Sequence, residues 1–153
     1  MVQLDALDRS ITEQLQRDSR ATYAEIGSRV GLSAAAVHSR VKKLEERGII
    51  TGYGARVDAA AVGLPVTAFL AVRVVNGNTG DQVKQRLQRI AAIEECHSTA
   101  GSVDLLLKVR CASPMQLETL IRDVRTVPGV DRTDTTVVLT TVFDARPLAL
   151  PTP

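Results

Sequence analysis

The chain has 153 residues, 44% of them hydrophobic, with a formal net charge of +2 and a pI near 8.7. That suffices for one domain or two small ones, and the near balance of charge excludes strong non-specific attraction of one copy to a polyanion. No basic start is followed by an apolar run, and no apolar run is long enough to span a bilayer. The expected compartment is therefore the cytoplasm, with no membrane partner.

The first element is a helix. Asp5 is its candidate N-cap and Asp8 places a negative charge in the first turn, while Leu4, Leu7, Ile11 and Leu15 recur at helical spacing. The segment from Thr22 to Gly48 then reads as two short helices joined by a tight turn. Thr22 and Glu25 have capping-box spacing, Ile26 and Val30 lie one turn apart, and Gly31 suits the left-handed residue that ends a helix. Ser33 is the next N-cap, with Leu32 and Val37 placed as a hydrophobic staple. Val37, Val41 and Leu44 form the apolar stripe, and Gly48 ends the helix.

The opposite side of this third helix carries Ala35, His38, Ser39, Lys42 and Lys43, with Arg40 on the flank. Small residues allow close approach to base edges, and His38 and Lys42 have the reach for acceptors in a major groove. Arg40 and Lys43 are better placed for phosphates, which give affinity and register but no direct sequence readout. No acidic residue lies between Ile26 and Leu44. Two capped helices, a Gly-Leu-Ser turn and a basic outer face together predict a helix-turn-helix unit for double-stranded DNA. The candidate contact set is Thr22, Tyr23, Ser33, Ala34, Ala35, His38, Ser39, Arg40, Lys42 and Lys43. Any amphipathic surface helix carries some lysines, and winged-helix modules that bind protein share the layout. The combination carries the reading, not the basic residues alone.

After Gly48 the pattern changes. Residues 49–57 read as extended, and 58–65 as a linker or short helical turn. From Val66 the order is βαββαβ: a strand to Val75, an Asn/Gly loop at 76–80, and a helix capped by Asp81 with Val83, Leu87, Ile90 and Ala91. Strands at 93–100 and 103–111 follow, joined at Gly101-Ser102. A helix capped by Ser113 and opened by Pro114 comes next, then a long strand from Val130 to Phe143. Two such halves predict a ferredoxin-like sheet with helices on one face. The strands look too apolar to leave the other face wet, which predicts dimerisation sheet against sheet. The expected domains are residues 1–50 for DNA, 51–65 as hinge, 66–145 for oligomerisation, to which the resemblance below adds ligand sensing, and 146–153 as an irregular tail.

Cys96 and Cys111 fall in apolar strand-like runs and read as small buried hydrophobes; a redox pair requires them to lie opposite one another in a hairpin. Cys96-His97 lacks the second ligand pair of a metal site. No catalytic site, metal or cofactor is expected: there is no nucleophile motif or phosphate loop, and Glu94 and Glu95, adjacent on a strand, should point to opposite faces.

The stretches LDALDRSI (4–11), RATYAEIGSRVGLSAAAVHSRVKKLEERGIITGYGARVD (20–58), AGSVDLLLKVR (100–110) and VPGVDRTDTTVVL (127–139) resemble the Lrp/AsnC, or feast/famine, transcription regulators. The resemblance implies an α+β chain: a winged-helix-like N-terminal domain and a ferredoxin-like, ACT-like domain of the RAM type. It implies self-association into dimers, and tetramers or octamers of these, on the nucleoid. It also implies an amino-acid effector near the Gly-x-x-Asp turn and the start of the last strand. Carried over, the effector candidates are Gly101, Ser102, Val103 and Asp104 with Thr133, Asp134, Thr135 and Thr136; Val103 stands where many members have an aromatic residue. The structural alternative is a plain hairpin turn, with Asp104 capping local backbone and the threonines serving as strand formers. The competing functional class is an architectural DNA-organising protein with little sequence preference.

Overall fold

A computed structural model describes residues 4–75 and 80–151. The chain divides into two compact units, Met1–Arg56 with Phe143–Pro153, and Val57–Val142.

The first unit holds α1 (Ala6–Arg17), α2 (Tyr23–Val30) and α3 (Ala34–Glu46). Its ends follow the local signals. The Asp5 carboxylate accepts from the Asp8 N–H at 2.7 Å. Thr22 and Glu25 form the reciprocal capping box, Gly31 has φ +73°, and Ser33 accepts from the Ala36 N–H. Ile11, Leu15, Ile26, Val37 and Val41 form the core, with Val30, Leu32 and Ile50 packed against it. Full burial of each such aliphatic side chain stabilises by about 1.5–3 kcal/mol. Among the described residues no strand follows α3 in this unit, so no wing is seen, and residues 51–58 have no regular structure.

The tail was expected to begin at 146, but the segment from Phe143 onward groups with the helical unit. The Gln16 side-chain amide makes both backbone bonds of Leu148, accepting from its N–H at 2.6 Å and donating to its carbonyl at 3.3 Å. Arg56 pairs with Asp144 at 2.9 Å.

The second unit opens with a short helical turn, in which the Asp58 carboxylate accepts from the Ala60 N–H. It then runs β1 (Val66–Val74), α4 (Gly80–Leu87), β2 (Ile93–Ser98), β3 (Leu105–Cys111), α5 (Pro114–Thr126) and β4 (Val130–Val137). The sheet order is β2-β3-β1-β4, with all neighbours antiparallel. This is the ferredoxin-like arrangement. Val83 and Leu87 of α4 and Leu117, Leu120 and Val124 of α5 cover Ala68, Leu70, Val72, Leu105, Leu107, Val109 and Cys111.

Several boundaries differ from the sequence expectation. Most of the Asn/Gly loop, 76–79, lies outside the described residues. Helix α4 begins at Gly80, so Asp81 sits within the first turn instead of capping it, and Ile90 and Ala91 fall beyond the helix end. The final strand stops at Val137 and not at Phe143 because β1 begins at Val66; the last bond runs from the Val138 N–H to the Thr67 carbonyl. Beyond it Leu139 is 96% exposed despite its strand-like sequence.

The uncovered face is not the apolar surface expected. The register places Phe69, Ala71 and Leu106 there among Arg73, Lys108, Arg110, Glu95, His97, Arg132, Asp134 and Thr136. Alternation gives these strands their apolar average, but the apolar members went to the helix side. A register shift between Ile93 and Glu95 also brings Glu94 and Glu95 together, at 3.6 and 3.0 Å from Lys108, instead of to opposite faces. Cys96 is exposed, not buried, because it sits on the edge strand; Cys111 is buried. Cys96 pairs with Leu107 and Cys111 with Val66, so the two are not opposite one another. Desolvation pushes both thiols above their ordinary value.

Candidate nucleic-acid interface and effector region

Helix α3 is presented by its buried stripe. Val37, Val41 and Leu44 are fully buried, which turns Ala35, His38, Ser39, Lys42 and Lys43 to solvent. Ser33 and Ala34 are exposed at the start of the helix and Thr22 at the start of α2. Tyr23 is half-buried, and its ring lies 5.4 Å from that of His38 at an angle of 42°. The two side chains thus come from different helices to one surface, a pairing that sequence spacing does not reveal. Lys42 lies 3.8 Å from Glu46 with both side chains more than 60% exposed. Such an exposed pair is worth close to nothing, so the ammonium is free to swing.

Arg40 departs from the phosphate-contact expectation. Its guanidinium is taken up by α1, 2.6 Å from each of the Asp5 and Asp8 carboxylates. The Asp8 N–H first, and then Arg40, hold the Asp5 carboxyl below its ordinary value. Its contribution to stability is therefore complete above the usual carboxylate range and is lost as pH falls through the lowered value. Arg40 is raised correspondingly by the two carboxylates. The acid-free run from Ile26 to Leu44 did not reveal this, because both acids come from α1.

Gly27 also escaped the sequence reading. It is buried within α2, and a Cβ there would press into the Leu32 carbonyl oxygen, whose residue donates its N–H to the Gly27 carbonyl at 2.9 Å. A glycine inside a helix costs about 1 kcal/mol relative to alanine, and that cost is the signal of a close approach. Behind α3, the Tyr53 hydroxyl donates to Glu45 at 2.8 Å. Burial first, and then Glu45, push its pKa up to about 12.

In the second unit the effector candidates divide. The Asp104 carboxylate accepts from the Val74 N–H at 2.7 Å, and its own N–H donates to the Val72 carbonyl. Arg73 donates to the Ser102 carbonyl at 2.7 Å, and Thr99 closes the turn on the Val103 carbonyl. Asp104 thus extends the ladder by one bond just before β3 begins, while its second carboxylate oxygen has no part in that bond. Gly101 and Ser102 are exposed, and Val103 is half-buried.

Along β4 the four candidates alternate. Thr133 and Thr135 stand opposite Val72 and Leu70 on the helix side, and Asp134 and Thr136 lie opposite Ala71 and Phe69 on the open side. Thr133 is buried and accepts from the Arg125 Nε at 2.7 Å, which ties β4 to α5. The four therefore do not share one face of the sheet. A cleft beside the turn is lined by Val74, Val75, Gly80, Lys84, Ser98, Asp104 and Leu105. Among the described residues no cluster of three His, Cys, Asp or Glu could hold a metal ion, and no helix is long and apolar enough to cross a membrane.

Comparison with known proteins agrees with both units. Residues 4–45 match the AsnC-type helix-turn-helix domain, and residues 67–148 match the Lrp/AsnC ligand binding domain. The HTH-type transcriptional regulator LrpA of Mycobacterium tuberculosis is 41% identical over 94% of this chain and 95% of its own length. The leucine-responsive regulatory protein of Escherichia coli is 33% identical over 97% of this chain and 93% of its own. A feast or famine regulatory protein of M. tuberculosis, solved with L-methionine, superposes with TM-score 0.90 at 40% identity, covering 95% of this chain and 99% of that one. By its two matched domains and these full-length relatives, the chain belongs to the Lrp/AsnC family of transcriptional regulators.

Proposed function

We propose that this protein regulates transcription by reading a specific DNA sequence with α3, as an oligomer whose affinity for DNA responds to an amino acid. The observation that carries the reading is the solvent face of α3: Ala35, His38, Ser39 and Lys42 form one uncovered stripe of small and polar residues on a helix capped at its start and anchored by three buried side chains. A single copy with net charge +2 has little non-specific attraction for DNA, so useful affinity calls for at least two copies on one duplex. The dimer is proposed to form through the second unit, with tetramers or octamers built from it. The mixed charge of the open sheet face makes that contact polar, with Phe69 and Leu106 at its centre. The DNA partner places the protein in the cytoplasm, with the nucleoid.

For the effector we propose an amino acid at the turn 101–104. The relative solved with L-methionine supports that ligand class. Lys84 in the adjoining cleft suits an α-carboxylate, and the second carboxylate oxygen of Asp104 suits an α-ammonium. Asp134 and Thr136 remain candidates for a ligand held at the open sheet face.

The test is selection of duplexes from a random library by the purified protein, followed by affinity measurements with and without each of the twenty amino acids. Expected are one enriched half-site pattern, an affinity at least about a thousandfold above that for random DNA at fixed salt, and a shift with one amino acid or a few. A specific-to-random ratio near one would establish the architectural alternative and end this reading.

A further inference from the structure

Arg40 is a cation on α3 whose guanidinium is taken up within the helical unit. Its Nη1 lies 2.6 Å from Asp5 Oδ2 and 2.6 Å from Asp8 Oδ1. The Asp8 side chain is only 12% exposed, and Arg47, at the end of α3, reaches its other oxygen at 4.0 Å. Asp5 serves twice: one oxygen caps α1 through the Asp8 N–H, and the other holds Arg40. The N-terminus of α1 is thereby tied to the middle of α3, with a second, longer tie to its end.

Buried Val37, Val41 and Leu44 set which side of α3 faces inward, and the ion pairs to α1 add a further constraint on its rotation. Charge-assisted hydrogen bonds are directional. Arg40 neighbours Ser39 and lies two positions from both His38 and Lys42, so a roll of α3 that broke the tie would move all three across the groove.

Resting on the reading of α3 as the DNA-facing helix, we propose that Asp5 and Asp8 are positioning residues for sequence recognition. They hold Arg40 off the phosphates and fix the rotation of α3 at which its small and basic residues face base edges. The clamp exchanges one phosphate contact for accuracy.

The test uses the full chain with a selected operator and a random duplex of equal length, over a range of salt. Asp5→Ser keeps an N-cap for α1 but removes one carboxylate; Asp8→Asn removes the other. Freeing Arg40 should raise affinity for random DNA and steepen the slope of log K against log salt by about one phosphate contact. The ratio of operator to random affinity should fall about tenfold, the scale of one misread base pair. Adding Arg40→Ala to Asp5→Ser should return the slope to that of the wild type while the ratio stays low.

A purely structural role would lower both affinities together without steepening the slope, and a purely electrostatic one would raise both together; either result overturns the proposal. Arg40→Ala alone removes both ties and leaves the Asp5 cap of α1 in place, so it decides the matter even if Asp8→Asn does not fold: the ratio should fall with the slope unchanged. Lys43→Ala separates the two readings. If it flattens the slope while Arg40→Ala leaves the ratio unchanged, only the clamp is wrong. If neither changes binding, the assignment of α3 is wrong.

Discussion

Gly27→Ala is expected to destabilise the helical unit by about 2 kcal/mol, within the range for overpacking a tight site. Helix propensity alone predicts the reverse, a gain of about 1 kcal/mol for removing a glycine from a helix interior. Sterics win here because the new methyl would meet the Leu32 carbonyl oxygen, a backbone atom of a residue whose own N–H is already bonded to the Gly27 carbonyl. It cannot rotate away as a side-chain tip would. Relief requires the turn between α2 and α3 to open, which shifts α3, so operator affinity should fall together with stability. Gly31→Ala provides the contrast. Its φ of +73° is strained for alanine, but nothing lies within 4 Å, so it should cost only about 1 kcal/mol. Amide hydrogen exchange in α2 and α3 separates these costs from those of the sheet unit. Protection in Gly27→Ala equal to or above that of the wild type would show that the turn is looser than the structure indicates.

Lys42→Ala should reduce affinity for a selected operator by about 1–3 kcal/mol, the worth of one good base-edge contact, while changing affinity for random duplex far less. Lys43→Ala should instead weaken operator and random DNA alike and reduce the salt slope by about one. The difference comes from geometry. Lys42 shares the stripe of Ala35, His38 and Ser39, where small neighbours leave room for the proposed duplex, and its pair with Glu46 is too exposed to hold it back. Lys43 stands a further 100° round the helix, toward the groove wall. Titrations at several salt concentrations give both quantities from one data set. Two variants that bind like the wild type would remove α3 from the interface.

Where the helices of the first unit begin and end could be read from the chain because capping is local. Thr22 meets Glu25 three residues on, Ser33 meets Ala36, and Gly31 turns the chain by its own backbone. The order of strands in the second unit was legible for a related reason: β-branched runs are interrupted by Gly, Asn and Pro. What depended on partners far away in sequence was not legible. Arg40 and Asp5 are 35 positions apart, and nothing in the run around Arg40 announces an acid from α1. The end of β4 is set by where β1 starts and not by its own Val and Thr residues, so a strand-like sequence continued past the last available partner. The open sheet face is more polar than the strands' composition suggests because average apolarity hides alternation: Leu105, Leu107 and Val109 turn inward, and Lys108 and Arg110 turn outward. Asp104 and Thr133 keep the residue types expected of a ligand site, yet their hydrogen bonds are largely spent on the sheet and on Arg125.

The central claim is that the solvent side of α3 lies against the duplex. Amide hydrogen exchange of the protein alone and with its selected operator tests it most directly. Slowed exchange should concentrate in Ser33–Lys43 and at the start of α2, and random duplex at matched occupancy should protect these segments less. Unchanged exchange in α3, with protection confined to the sheet unit, would contradict the account.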